Sequence, residues 1–315
     1  MIIFFQIAGG LTLLFLGGEA LVRGSVAIAR HLGVPVLIIG LTLVAMGTSA
    51  PELMVSISAS LAGHPDIAIG NVVGSNIANI LLVLGLSAII YPVSINYKIK
   101  TRDNPAMLAI TLLGSFFLWS EKIVTTTEGI ILILCAVIYM LYTSLAEYKE
   151  KRLLAEIKIE QELPPDLKNW LAIIFVLLGI LALTYGASIL IEGSSSLARL
   201  FGISEAVISL TLVAAGTSAP EIATCVVASY HKNSDIIAGN VVGSNIFNIM
   251  FGLGGASVAN SLAVSDGFLK LDIWFMIFVT LMLIITFIFS KKINRFTGIV
   301  FFVFYIGYIA SQFYN

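Results

Sequence analysis

Long apolar stretches, each ended by a short polar one, run the whole length of the chain. Stretches long enough to cross a bilayer as a helix, about 20 residues, fall at about 2–22, 36–62, 67–91, 104–120, 124–145, 169–191, 204–230, 236–260, 271–290 and 296–313. They predict ten transmembrane helices. The first has no basic residues ahead of it and no small-residue cleavage pattern behind it, so it reads as an uncleaved span. One polar segment, Glu147 to Asn169, carries both charge signs and then Pro164 and Pro165. It reads as a cytoplasmic linker too short to be a domain.

Composition agrees with the pattern. Of the 315 residues 58% are hydrophobic and 11% charged, with a mean hydropathy of +1.02, where soluble domains carry about 25% charged residues. The net charge of −1 leaves no nucleic-acid footprint. Cys135 and Cys225 both fall in apolar segments, which argues against a disulfide framework. With the N-terminus outside, 14 of the 17 Lys and Arg fall on the cytoplasmic side, leaving Lys122, Arg199 and Lys270 outside. The positive-inside rule then places a multi-pass protein in the cell membrane with both termini extracellular.

Two of the spans carry the same six letters. "GTSAPE" occupies Gly47 to Glu52 and returns at Gly216 to Glu221, an offset of 169. The same offset carries "GNVVGSNIANI", Gly70 to Ile80, onto "GNVVGSNIFNI", Gly239 to Ile249. Five helices per half is an odd number, so the second half must enter the membrane upside down. The predicted fold is an all-α integral membrane protein of ten transmembrane helices in two inverted five-helix repeats, residues 1–145 and 169–315, joined by the linker 146–168. Helices 2 and 7 are interrupted. Inverted repeats with interrupted helices are the architecture of secondary transporters, with the site near the midplane between the repeats.

The repeated residues suit a cation. A proline in a helix interior removes a donor N–H, so Pro51 and Pro220 leave the carbonyls of Gly47 and Gly216 without their usual partners. Free carbonyls in hydrocarbon must be satisfied by something. A charged residue at that depth costs at least about 2.5–3.5 kcal/mol, which makes Glu52 and Glu221 improbable as decoration. Thr48, Glu52, Ser56 and Ser60 recur at every fourth position on one helical face, and Asn71, Ser75 and Asn79 do so on the next helix. The second half answers with Thr217, Glu221, Cys225 and Ser229, then Asn240, Ser244 and Asn248. Calcium takes 6–8 oxygen ligands. No Lys, Arg or His falls in either motif, so a bound ion or a proton must neutralise the glutamates.

Other polar positions read as structural. Gly70/Gly74 and Gly239/Gly243 allow close helix packing, Asn76 and Asn245 sit off the stripe as interhelical glue, and Glu19 is interfacial. Asp66 and Asp235 read as helix N-caps. His31, His64 and His231 lie in loops without metal-ligand spacing.

The doubled motif resembles the alpha repeats of the calcium/cation antiporters, the group that contains sodium/calcium exchangers, with repeat regions at about 42–90 and 211–259. The resemblance implies a cluster of calcium and sodium sites centred on Glu52 and Glu221. It implies hydroxyl and carbonyl oxygens from Thr48 and Thr217, and carbonyls from Ala45, Ser49, Ala214 and Ser218. Hydroxyls of Ser75 and Ser244 and the side chains of Asn79 and Asn248 complete the set. Helices 1 and 6 are implied as the moving pair. Some exchangers carry aspartate where this chain has Asn79 or Asn248, so its centre holds two carboxylates and the coupling ion stays open between sodium and proton. The large cytoplasmic regulatory insertion of eukaryotic members is missing.

The expected function is therefore sodium/calcium exchange, with proton/calcium antiport on the same fold as the alternative. A passive cation channel fits a closed central site poorly. A membrane-embedded hydrolase lacks a base for the Ser of "GTSAPE" and lacks HExxH. No cofactor beyond the transported ions and no protein partner is implied.

Overall fold

In the computed structural model, which describes residues 2–154, 167–201 and 214–312, helix α1 runs from Ile2 to Leu32. It continues well past the apolar run that predicts it. Arg23 and Arg30 do not stop a helix; Gly33, at φ +60°, and Pro35 do. Helix α2 (Val36–Thr48) and helix α3 (Ala50–Leu61) follow, bent 44° apart. Next come α4 (Pro65–Ile90), strand β1 (Val93–Ser94), α5 (Asn104–Ser120), strand β2 (Ile123–Val124) and α6 (Thr126–Leu154). The linker expected from residue 146 thus begins as a continuation of α6, and positions 155–166 lie outside the described residues.

The second half repeats the order. Helix α7 spans Asn169–Leu200, α8 Ala214–Thr217, α9 Ala219–Tyr230 and α10 Ser234–Ala259. Strand β3 (Leu262–Ala263), α11 (Phe268–Phe289), strand β4 (Lys292–Ile293) and α12 (Arg295–Gln312) complete the chain. Among the described residues seven helices are long and apolar enough to span a membrane, and the bent α2–α3 pair makes an eighth. Helix α5 has 17 residues. The first part of the span expected at 204–230 lies outside the described residues. This is a helical membrane protein.

Helices α4 and α10 form the centre. Of their most apolar windows 78% and 89% is buried, against 22% for α1 and 28% for α7. Side chains such as Phe15, Leu16, Leu177 and Leu178 remain exposed on α1 and α7, where lipid covers them. Asp66 and Asp235, expected as N-caps, instead sit inside the first turns of α4 and α10, behind His64 and Asn233. There their charge still meets the positive end of the helix dipole.

Helices α1 and α7 pack through glycines. A Cβ on Gly10 would lie 2.9 Å from the Gly186 carbonyl, and one on Gly17 would lie 3.0 Å from the Gly179 carbonyl. The order is reversed, so the helices are antiparallel. Gly179 and Gly186 are the repeat positions of Gly10 and Gly17, so each helix meets its own counterpart. The strands follow the same rule: Val93 pairs with Ile293, and Val124 with Leu262. Shifting either pair by 169 gives the other with the roles exchanged.

Buried carboxylates outside the motifs repeat as well. Tyr139 Oη donates to Asp103 Oδ1 at 3.1 Å, and Tyr308 Oη donates to Asp272 Oδ1 at 2.8 Å. Asp103 also pairs with Arg102 Nε at 2.7 Å and has no exposed side-chain surface. Tyr139→Phe removes one hydrogen bond from it. The variant is expected to lose about 1–3 kcal/mol, read as a lower melting temperature in detergent. An unchanged curve would mean that Arg102 alone satisfies the carboxylate.

Candidate functional site

The two interrupted helices break at serine. Ser49, at φ −86° and ψ 4°, separates α2 from α3, and Ser218, at φ −83° and ψ 4°, separates α8 from α9. Pro51 and Pro220 are therefore not in a helix interior, as the sequence suggests. They occupy the first turn after the break, where a missing N–H costs nothing. The glutamates follow within that same turn, so their charges face the positive end of a helix.

Glu52 and Glu221 are 2% and 0% exposed, and they lie close enough to act on each other electrostatically. Ser49 Oγ crosses between the halves and donates to Glu221 Oε1 at 2.8 Å. Ser218 faces Glu52 in the same way without closing the bond, and both Glu52 carboxylate oxygens are left without a partner. Among the described residues no Lys, Arg or His acts on either carboxylate. Among the described residues no three His, Cys, Asp or Glu side chains cluster as metal ligands. Two charges, the rest neutral oxygen, is the donor set here.

The neutral donors come from the breaks and from α4 and α10. Ser75 Oγ, Ser244 Oγ, Asn79 Oδ1 and both amide atoms of Asn248 are buried with no hydrogen-bond partner. Buried polar groups are almost always paired, and leaving one unpaired costs about 1–3 kcal/mol. Left unpaired on helices that pack against the segments bearing the two glutamates, these atoms make a candidate site for something positive. Thr48 and Thr217 are buried beside it. The Ala45 carbonyl lies 3.3 Å from Thr48 Oγ1 and accepts the Ser49 N–H at 2.9 Å. Ala214 opens α8, and its side chain lies outside the described residues.

Four amide side chains also meet here: Asn71, Asn79 and Asn240, which the sequence places on the oxygen stripes, and Asn245, which it takes as interhelical glue. Thr48 Oγ1 donates to Asn240 Oδ1 at 3.1 Å, and Thr217 Oγ1 donates to Asn71 Oδ1 at 3.3 Å. Asn79 Nδ2 donates to Asn245 Oδ1 at 3.1 Å, and Asn245 Nδ2 donates to the Asn76 carbonyl at 3.3 Å. All four bonds join one half to the other. The signal for them was their return at an offset of 169 inside two long apolar helices, because a buried amide needs a partner.

Glu19 is the one acidic side chain on α1. It pairs with Arg23 and accepts from His231 Nε2 at 2.8 Å, tying α1 to the turn after α9. Its repeat position is Ser188, which carries no charge to make the same tie.

A buried, oxygen-lined candidate centre with no base against it among the described residues, inside a shell of long apolar helices, suits a membrane transporter of small cations. Comparison with known proteins agrees. The family model described as "sodium/calcium exchanger protein" matches residues 2–145 and 171–314. The chain belongs to the sodium/calcium exchanger family, and it is a cation antiporter of that group. A putative antiporter, CaxA, of Alkalimonas amylolytica is 36% identical over 95% of this chain and 95% of its own. The sodium/calcium exchanger MaX1 of Methanosarcina acetivorans is 33% identical over 97% of each. A solved structure of the sodium-calcium exchanger NCX_Mj, soaked with sodium and strontium, superposes with a TM-score of 0.84 at 31% identity, covering 98% of each chain.

Proposed function

We propose that this chain exchanges calcium for sodium by alternating access, with the two ions competing for a site centred on Glu52 and Glu221. One observation carries this reading: two buried carboxylates, opposed by no base among the described residues, with unpartnered hydroxyl and amide oxygens on the helices packed against them. Thr48, Thr217, Ser75, Ser244, Asn79 and Asn248 supply side-chain oxygen. Ala45, Ser49, Ala214 and Ser218 supply carbonyls at the helix breaks. The relatives named as sodium/calcium exchangers support the choice of ions.

Calcium cancels both glutamate charges at once, and sodium ions or protons do so one by one. Either load gives a near-neutral centre that can pass through a closed form. The bare site holds two negative charges at membrane depth and switches poorly, which makes exchange obligatory. Ten helices in two inverted repeats frame the site in this reading, supported by the antiparallel contact of α1 with its counterpart α7. Those two helices are the moving pair, their glycine seam allowing backbone to slide on backbone. The protein sits in the cell membrane with both termini outside.

Proton/calcium antiport is the second reading. The amides at Asn79 and Asn248 favour it, because a centre with only two carboxylates can be neutralised by two protons. Proteoliposomes separate the readings. Vesicles loaded with sodium and diluted into sodium-free buffer are expected to take up calcium. Uptake driven only by a proton gradient would move the coupling to protons. Calcium flux that needs no counter-ion would overturn antiport.

A further inference from the structure

Asn71 and Asn240 touch the proposed site only through other residues, yet each is bonded on both sides. Asn71 Nδ2 donates to the Glu52 carbonyl and to Ser56 Oγ, both at 2.9 Å. Its Oδ1 accepts from Thr217 Oγ1 of the other half at 3.3 Å. Asn240 repeats the arrangement: Nδ2 donates to Cys225 Sγ at 3.3 Å, and Oδ1 accepts from Thr48 Oγ1 at 3.1 Å. Both side chains are buried, Asn240 completely.

The direction of the Asn71 amide is fixed by chemistry, and Asn240 follows it by the repeat. A main-chain carbonyl only accepts. Turning the Asn71 amide over would set two oxygens 2.9 Å apart at Glu52, so its NH2 must face that carbonyl and its oxygen must face Thr217. Asn240 occupies the same frame in the other repeat. A threonine hydroxyl has one proton and two lone pairs. For Thr48 the amide oxygen of Asn240, at 3.1 Å, is nearer than the competing Ala45 carbonyl at 3.3 Å, and once the proton is committed to the amide oxygen, the lone pairs are what the hydroxyl presents elsewhere. A cation ligand must do just that.

We infer that Asn71 and Asn240 are positioning residues, each orienting the hydroxyl of the opposite half's threonine so that its lone pairs face the transported cation. The inference rests on the proposed site. It adds that each half sets the other's ligand geometry: Thr48 depends on Asn240, and Thr217 on Asn71.

Coupling between substitutions tests this in the full-length protein. Calcium binding is measured by titration calorimetry on purified, monodisperse Thr48→Ala, Asn240→Ala and the double variant. The set is repeated for Thr217 with Asn71. Same-half combinations, Thr48 with Asn71 and Thr217 with Asn240, serve as controls. Loss of one oriented ligand is expected to weaken calcium binding about tenfold. Within a crossed pair the double variant should bind no more weakly than the threonine variant alone, while the same-half losses should multiply. Thr48→Ser, which keeps the hydroxyl, should keep its dependence on Asn240. If Asn240→Ala is not monodisperse, Asn240→Ser replaces it, its hydroxyl being too short to reach Thr48.

Multiplying losses within the crossed pairs would overturn the positioning role and leave the site standing. So would a dependence confined to each half, as simple helix packing would give. Full calcium affinity in Thr48→Ala and Thr217→Ala would remove the site reading itself, and the positioning role with it.

Discussion

Glu221→Gln is expected to abolish calcium exchange while the protein still folds. Glutamine keeps the shape and leaves Ser49 an oxygen to donate to. What goes is a charge. With two carboxylates a calcium ion is neutralised; with one, the complex carries a buried net positive charge. Removing one partner of a buried charge pair costs about 3–5 kcal/mol, a loss in affinity of about a hundredfold or more. Glu52→Gln should do the same, since both its carboxylate oxygens lack a protein partner. The readout is calcium uptake by sodium-loaded proteoliposomes, beside the elution profile of the purified variant. Normal exchange in either variant would sink the assignment of the centre.

The second large effect belongs to a single methyl group. Alanine favours a helix over glycine by about 1 kcal/mol, so a glycine in open surroundings gains from the change. Gly243 of α10 does not. A Cβ there would fall 2.5 Å from the Leu41 carbonyl and 2.8 Å from Ala45 Cβ. The nearest obstacle is backbone, so helix α2 must move. Overpacking of this kind costs about 1–3 kcal/mol and outweighs the helix gain. Helix α2 also carries the Ala45 carbonyl and Thr48, so Gly243→Ala should weaken calcium binding as well as lower the melting temperature. Gly307→Ala, whose Cβ would meet nothing within 4 Å, should leave both unchanged or raise the melting temperature. A Gly243→Ala protein as stable as the parent would show that α2 is not held where the structure has it.

Much of this was legible in the chain. The apolar runs mark the helices, because each must be about as long as the bilayer is thick. The repeat of "GTSAPE" marks the residues that end up buried and unopposed. Helix ends were not legible: α1 runs on through Arg23 and Arg30, since charge ends a membrane span but not a helix. The exact position of the break was missed too, because a proline looks the same in a first turn as in an interior until the turn is seen. The crossed bonds were beyond reach. Helical spacing tells which residues share a face, not which helix that face meets, so Asn71 and Asn240 read only as members of their own stripes. Asp103 with Tyr139, and Asp272 with Tyr308, carried a usable signal in their common separation of 36.

The exchanged contacts have a consequence for how such a chain comes to exist. A pair of contacts that swap roles under one shift is the mark of a two-fold dimer. Here the two partners lie on one strand of peptide. Neither half owns a complete threonine–asparagine pair or a complete strand pair, so an isolated half has its natural partner in a second copy of itself. With both partners on one chain, the two halves need not be identical. Cys225 in place of a second Ser56, and Ser188 in place of a second Glu19, are positions where the two halves differ chemically.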